Sequence, residues 1–172
     1  MAERQGRAAA DAVLTRIGQV VMLHHAGDRE EARHRLLGLW AEIGDGDPLH
    51  RCTLAHYLAD TQDDPEAELA WDLRALTAAE EALRSGPEVS GASAEVRALY
   101  PALHLSLATD YAGLGRPDAA RSHLRRARGA AVALADDSYG EGVRAAIRRL
   151  EIRLGEAEGP PGGGSGPPRQ RR

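Results

Sequence analysis

The chain has 172 residues, of which 42% are hydrophobic, 28% are charged and only 3% are aromatic, with no phenylalanine. These proportions are typical of a globular protein and allow one domain whose core is built mainly from Leu, Ala and Val. The net charge of −4 disfavours a dedicated nucleic-acid-binding domain, because affinity for phosphate backbones depends on clustered positive charge.

Cysteine content and apolar runs bear on the compartment. The only cysteine, Cys52, cannot form an internal disulfide, so nothing indicates an oxidising environment. No apolar run approaches the roughly 20 residues of a membrane helix, and Asp11, Arg16 and Gln19 interrupt the N-terminal apolar stretch below signal-peptide length. All 22 basic residues are arginine and asparagine is absent, which is typical of GC-rich coding. We therefore expect a bacterial, cytoplasmic protein with no membrane partner.

Hydrophobic residues have helical spacing along nearly the whole chain, from Leu14, Ile17 and Val21 near the start to Ile147 and Leu154 near the end. Turn and capping residues interrupt this spacing at regular intervals. The breaks fall at residues 26–28, 44–48, 63–65, 85–87, 115–117 and 136–138. The sequence therefore predicts an all-α domain of about seven helices over residues 8–157.

Several helix starts have an explicit physical basis. Asp47 and Asp64 can cap free amide groups, while Pro48 and Pro65 occupy the first helical turn, where no amide donor is needed. Pro101 lies inside an otherwise helical stretch, so we expect a kink or a new helix start there.

The C-terminal segment has a different composition. From Gly159 onward glycine and proline dominate, and the last residues are mostly arginine. Such a segment buries too little apolar surface to offset the entropy of ordering, so residues 158–172 are predicted to form a disordered tail.

A spacing pattern recurs around three alanines, Ala32, Ala67 and Ala120. Each has a large residue nine positions upstream, a smaller one three positions before that, and a bulky residue four positions downstream. These residues are Leu23, Leu58 and Tyr111, then Val20, Ala55 and Ala108, then Leu36, Trp71 and Leu124. Because two helices approach closely only where a small side chain meets a large one, the pattern predicts three helix hairpins.

The third unit, residues 103–131, resembles the tetratricopeptide repeat (TPR) family most closely. Its matching residues are Leu107, Ala108, Tyr111, Gly115, Ala120, Leu124 and Ala127, while His104 replaces the expected tryptophan. The resemblance implies antiparallel helix hairpins stacked as a short TPR-like right-handed superhelix. Residues 138–154 would then form a helix that covers the last apolar face.

The resemblance also implies a function, that of a non-enzymatic scaffold or adaptor. Proteins of this family use the first helix of each hairpin to line a concave groove that binds a protein or peptide partner. The positions of this chain that correspond to the groove are Ile17, Val21, His24, His25, Cys52, His56, Asp60, Leu105, Thr109 and Gly113.

Three of these positions also allow an alternative interpretation. Cys52, His56 and Asp60 are spaced by four and stack along one helical face, so they could serve a metal- or small-ligand-responsive regulatory protein. Zinc would need a further ligand such as His24 or His25, and the chain lacks CxxC and HExxH motifs. Cys52 beside a histidine would also suit a nucleophile, but no oxyanion-hole signature accompanies it. We therefore expect neither an enzyme nor a resident cofactor.

Charge is distributed unevenly along the chain. The middle is acidic, through Asp60, Asp63, Asp64, Glu66, Glu68 and Asp72, and the end is basic, through eight arginines between residues 121 and 153. Either these arginines pair with Glu141, Glu151 and Glu156, or they meet an acidic partner such as a second copy of the chain in a homo-oligomer, or RNA.

Overall fold

The computed structural model describes residues 2–84 and 92–156, with side chains placed for residues 12–84 and 94–155. The described part contains seven helices and no strand, which confirms the all-α prediction. The helices are α1 (Ala2–His25), α2 (Arg29–Ile43), α3 (Pro48–Asp60), α4 (Pro65–Arg84), α5 (Ala92–Gly113), α6 (Pro117–Ala131) and α7 (Ser138–Glu156). The predicted tail, residues 158–172, and the predicted break at residues 85–87 lie outside the described residues.

The two predicted aspartate caps are present. The Asp47 carboxylate accepts a hydrogen bond from the Leu49 amide at 2.8 Å, and the Asp64 carboxylate accepts one from the Ala67 amide at 3.0 Å. Such caps typically contribute about 1 kcal/mol each, because they satisfy amides that have no partner within the helix. Helix α5 runs without a new start through Pro101, which is buried.

The turns after α1 and α5 share one hydrogen-bond pattern. The Gly27 amide donates to the His24 carbonyl at 3.0 Å, and the Asp28 amide donates to the Leu23 carbonyl at 3.1 Å. The equivalent bonds after α5 join Gly115 to Ala112 at 3.1 Å and Arg116 to Tyr111 at 2.8 Å. Both glycines have positive φ, 94° and 69°, a conformation that other residues rarely adopt.

The turn after α3 closes differently because it has no glycine. The Leu58 carbonyl there accepts hydrogen bonds from the Thr61 hydroxyl at 2.7 Å and from the Gln62 side-chain amide at 2.8 Å. Ala67 comes three residues after the cap Asp64, whereas the other two repeat alanines come four residues after their caps. Since each residue advances about 100° around a helix, Ala67 points elsewhere and is half-buried. Ala32 and Ala120 therefore occupy equivalent, fully buried positions in their hairpins, as predicted. Ala67 does not share that position.

Each helix packs against the next along the chain, and neighbours joined by a short described turn are antiparallel. The odd-numbered helices also contact one another in sequence, α1 with α3, α3 with α5 and α5 with α7. Helices α2 and α4 also meet, through the rings of Trp40 and Trp71, whose centroids are 5.2 Å apart and edge-on, and Glu66 of α4 pairs with Arg116 at the start of α6 at 2.7 Å. The odd-numbered helices thus form one continuous row. The exposed side of that row, which includes Asp60 and Thr109, is called the inner-row face.

The core is aliphatic, as the composition predicts. Its largest fully buried side chains include Ile17, Leu36, Leu58, Leu103 and Leu107. None of the helices in the described ranges has both the length and the apolar composition required to cross a bilayer.

Candidate functional site

Four of the predicted groove residues are exposed on the inner-row face: His25 on α1, Asp60 on α3, and Thr109 and Gly113 on α5. Three others, His24, His56 and Leu105, are half-buried beside them. The stripes taken from the second and third units therefore reach a common surface at the C-terminal ends of α3 and α5.

The remaining three, Ile17, Val21 and Cys52, lie in the core, so the predicted groove is not continuous at these positions. Helix α3 packs directly on α1, and Ile17 and Val21 share a cluster with Leu54 and Leu58. The side of α1 that stays open lies farther around the helix, where Gly18 and His25 are exposed and Met22 is 72% exposed. The groove positions predicted for the first unit thus misjudged which side of α1 its neighbour covers.

Cys52 is 0% exposed, and this burial bears on the metal interpretation. It packs among Leu49, Ala55 and Ala75, and burial together with the negative charge of Asp72 raises the pKa of the thiol to about 12. Zinc ligation and nucleophilic attack both need the thiolate, which this environment disfavours. No group of three His, Cys, Asp or Glu side chains among the described residues could hold a metal ion.

An acidic cluster joins α3, α4 and α5. It comprises Asp60, Glu68, Asp72 and Asp110 together with His56, whose Nδ1 lies 3.2 Å from an Asp72 carboxylate oxygen. Asp72 is only 2% exposed and Asp110 only 9% exposed, while Asp60 is open to solvent. Buried carboxyl groups are costly unless they are paired, so this density of acids is a candidate functional feature.

The protonation states follow from this crowding. Burial, the nearby charges of Asp72 and Glu68 and a side-chain hydrogen bond with Asp72 raise the pKa of Asp110 to about 8, so Asp110 is largely protonated at neutral pH. Burial likewise raises the pKa of Asp60 and of Glu68. For His56, burial disfavours the charged ring, but the hydrogen bond and the charge of Asp72 outweigh it and raise the pKa. The Oδ2 atom of Asp110 is buried and has no hydrogen-bond partner among the described residues.

Asp72 and Asp110 were not among the predicted groove residues. A signal for Asp72 exists in the sequence, since it shares a helical stripe with Leu69, Leu76 and Ala79, all of which are buried. A charged residue in the middle of an apolar stripe requires a polar contact from a neighbouring helix. The sequence could have nominated Asp72 on this basis, but it does not reveal that the contact would come from His56.

A second polar pair lies between α5 and α6. The Nδ1 atoms of His104 and His123 are 2.9 Å apart, the Tyr100 ring meets His104 edge-on, and the Tyr111 ring stacks on His123. Burial and the neighbouring histidine lower the pKa of His104 to about 4, and burial and Arg126 lower that of His123. Both rings are therefore neutral at physiological pH, with one Nδ1 donating its proton to the other.

A shallow basic recess of about 510 Å³ lies between α5 and α7. Leu105 and Thr109 of α5 line it together with Arg149, Ile152 and Arg153 of α7. Ile152 is 59% exposed, and neither arginine forms an ion pair with a described residue. Other arginines do pair: Arg128 with Glu151 at 3.3 Å, Arg144 with Asp136 at 3.0 Å and Arg121 with Asp118 at 3.5 Å. The predicted pairing with Glu151 is thus present, whereas Arg144 and Arg121 pair with aspartates, Asp136 and Asp118, that were not among the predicted partners.

Comparison of the chain with known protein families, with characterised proteins and with solved structures gives no match. The inner-row face carries an acidic cluster at its centre and a basic recess at its end.

Proposed function

We propose that the protein is a non-enzymatic scaffold or adaptor of the bacterial cytoplasm that binds a protein or peptide segment along the inner-row face. In this proposal the hairpins form a short TPR-like right-handed stack, and the inner-row face is its concave side. The partner lies across the ends of α3, α5 and α7.

The basic recess is the observation that supports this proposal. Arg149 and Arg153 flank the apolar side chains of Leu105 and Ile152, and these arginines have no ion pair within the described residues. An apolar floor beside unpaired charges is the usual composition of a surface that a partner covers, because the partner supplies both the apolar contact and the opposite charge. If Arg149 and Arg153 only faced solvent, there would be no reason for an exposed isoleucine, Ile152, between them.

Site-specific photocrosslinking tests the proposal with a matched pair of positions. Thr109 on the inner-row face and Thr77 on α4 are both exposed, and each hydroxyl donates to the carbonyl four residues earlier, at 3.0 Å and 2.9 Å. A photoreactive residue at position 109 should give a discrete adduct in cells, and the same residue at position 77 should not.

The adduct at position 109 should also disappear when Arg149 and Arg153 are changed to Glu, because the partner then meets repulsion in the recess. Circular dichroism controls for the fold of this variant. Equal adducts at positions 77 and 109, or an adduct that survives the charge reversal, would show that the inner-row face is not the binding surface.

A further inference from the structure

Helix α7 separates its charges into two halves of one ridge. The ridge is formed by residues spaced by four, which are Asp137, Glu141, Ala145, Arg149 and Arg153. The four charged residues are exposed, and the alanine between them is half-buried. Residues spaced by four are neighbours on a helix surface, because each step of four turns only about 40° around the axis. Two acids therefore lie at one end of the ridge and two arginines at the other.

The ridge does not balance these charges within its own copy of the chain. Among the described residues, neither Glu141 nor the two arginines form an ion pair, and the Asp137 carboxylate accepts a hydrogen bond from the Gly140 amide at 2.8 Å. A helix that stabilises itself places an acid four residues from an arginine, as Glu31 and Arg35 do in α2 at 2.6 Å. Like charges at that spacing repel each other, so the ridge calls for opposite charges from outside the helix.

The reversed ridge supplies those opposite charges. Glu141 and Arg149 each lie four residues from Ala145, and Asp137 and Arg153 each lie eight residues from it. A two-fold axis at Ala145 that sets a second α7 antiparallel to the first would therefore bring every acid to an arginine of the other copy. Isologous contacts in symmetric dimers require a surface that is self-complementary in this way.

The middle of the ridge allows two helices to approach closely. Ala145 is small, and Gly142 and Ala146 form the neighbouring row of the same helix surface. A Cβ added to Gly142 would meet no atom within 4 Å, so the surface there is open. In the commonest class of helix pairs, ridges of residues spaced by four pack into grooves of this kind. Ala146 also lines the basic recess together with Arg149 and Arg153, so the groove borders the recess.

These features identify an occupant for the recess. We propose that the partner segment bound there is helix α7 of a second copy of the chain, so this inference rests on the proposed function. Each acid of one ridge pairs with the matching arginine of the other, and Ile152, which is 59% exposed beside the two arginines, loses contact with water. RNA is disfavoured as the occupant, because no aromatic side chain is among the residues that line the recess and the chain has a net charge of −4.

Sedimentation equilibrium of the full chain tests this contact by charge reversal. The wild type should form dimers in equilibrium with monomers. Glu141→Arg and Arg149→Glu should each weaken dimerisation by at least about tenfold, because the symmetric contact turns two attractions into two repulsions. An equimolar mixture of these two variants should dimerise again, since one variant then carries arginine and the other glutamate at both positions.

The matched controls make the same charge changes at exposed positions of other helices. Glu80→Arg on α4 and Arg125→Glu on α6 should each retain the monomer–dimer equilibrium of the wild type. Circular dichroism checks the fold of every variant. A wild type that stays monomeric up to about 1 mM would overturn the contact between copies. Equal weakening by the control variants, or a mixture that dimerises no better than its components, would overturn it as well.

The crosslink at position 109 separates this inference from the proposed function. An adduct with twice the mass of the chain, together with the response to charge reversal, would support both. An adduct with a different protein, formed by a chain that sediments as a monomer, would retain the proposed function and reject the second copy. A dimer that responds to charge reversal but gives no adduct at position 109 would retain the ridge contact and reject the proposed function.

Discussion

His104 and His123 show how a polar pair can be accommodated in an aliphatic interface. The His104 ring is completely buried between α5 and α6. A shared proton satisfies both Nδ1 atoms, and two tyrosine rings cover the pair. The hydrogen bond is lost when both rings are positively charged, because two N–H donors and two positive charges then face each other.

The histidine pair should therefore make the fold sensitive to acid. Because the pKa of His104 is about 4 when folded and 6.5 when exposed, only the unfolded chain gains this proton as pH falls between those values. The free energy of unfolding should decrease across that window by about 2 to 3 kcal/mol. Urea unfolding followed by circular dichroism at pH 7 and pH 4.5 measures this decrease.

His104→Gln, which cannot be protonated, should show a smaller decrease than the wild type over the same pH range. His34→Gln removes an exposed histidine and should behave as the wild type does. If His104→Gln loses as much stability as the wild type, the acid sensitivity comes from other groups.

At the scale of elements, the three hairpin turns provide hydrogen-bond donors to the helix-end carbonyls in two ways. The carbonyl near the end of the first helix needs a donor once the helix stops. In the turns after α1 and α5 backbone amides alone supply it, around a glycine at positive φ, whereas after α3 the Leu58 carbonyl accepts from the Thr61 amide at 3.1 Å and also from the side chains of Thr61 and Gln62. The sequence shows the missing glycine, but the added side-chain donors become evident only from the contacts of Leu58.

Substitution of glycine by alanine should have opposite effects in a turn, where glycine allows positive φ, and inside a helix, where glycine adds flexibility. Gly27→Ala should destabilise the fold by about 1 to 2 kcal/mol, because alanine is strained at a φ of 94° although its Cβ would meet no atom within 4 Å. Gly129→Ala in α6 also meets no atom within 4 Å and should stabilise by up to about 1 kcal/mol, because it removes a flexible residue from a helix. Thermal unfolding of both variants provides the comparison, and a loss of stability in both would contradict the assignment of strain to φ.

At the scale of the whole molecule, the sequence predicts features that depend on residues close along the chain better than features that depend on contacts between helices. Helix starts were predictable because Asp47 and Asp64 act on amides a few residues away. The burial of Ile17 and Val21 was not, because it depends on how closely α3 approaches α1, a distance that no local spacing encodes. The polar contact between His56 and Asp72 has the same limitation, since each residue lies on a different helix.

The pattern of helix contacts also predicts how the molecule unfolds. Helix α7 touches only α5 and α6 among the described helices. Its packing therefore stabilises the C-terminal helices directly and the N-terminal helices only through the helices that lie between them. Leu150→Ala removes a fully buried side chain of α7 and should cost about 2 to 5 kcal/mol, whereas Ile152→Ala on the exposed side of the same helix should cost under about 0.5 kcal/mol. Hydrogen exchange should then show faster opening of α5, α6 and α7 in Leu150→Ala, with α1 to α3 still protected. Equal loss of protection along the whole chain would mean that the row of helices unfolds as one cooperative unit rather than as a stack coupled between neighbours.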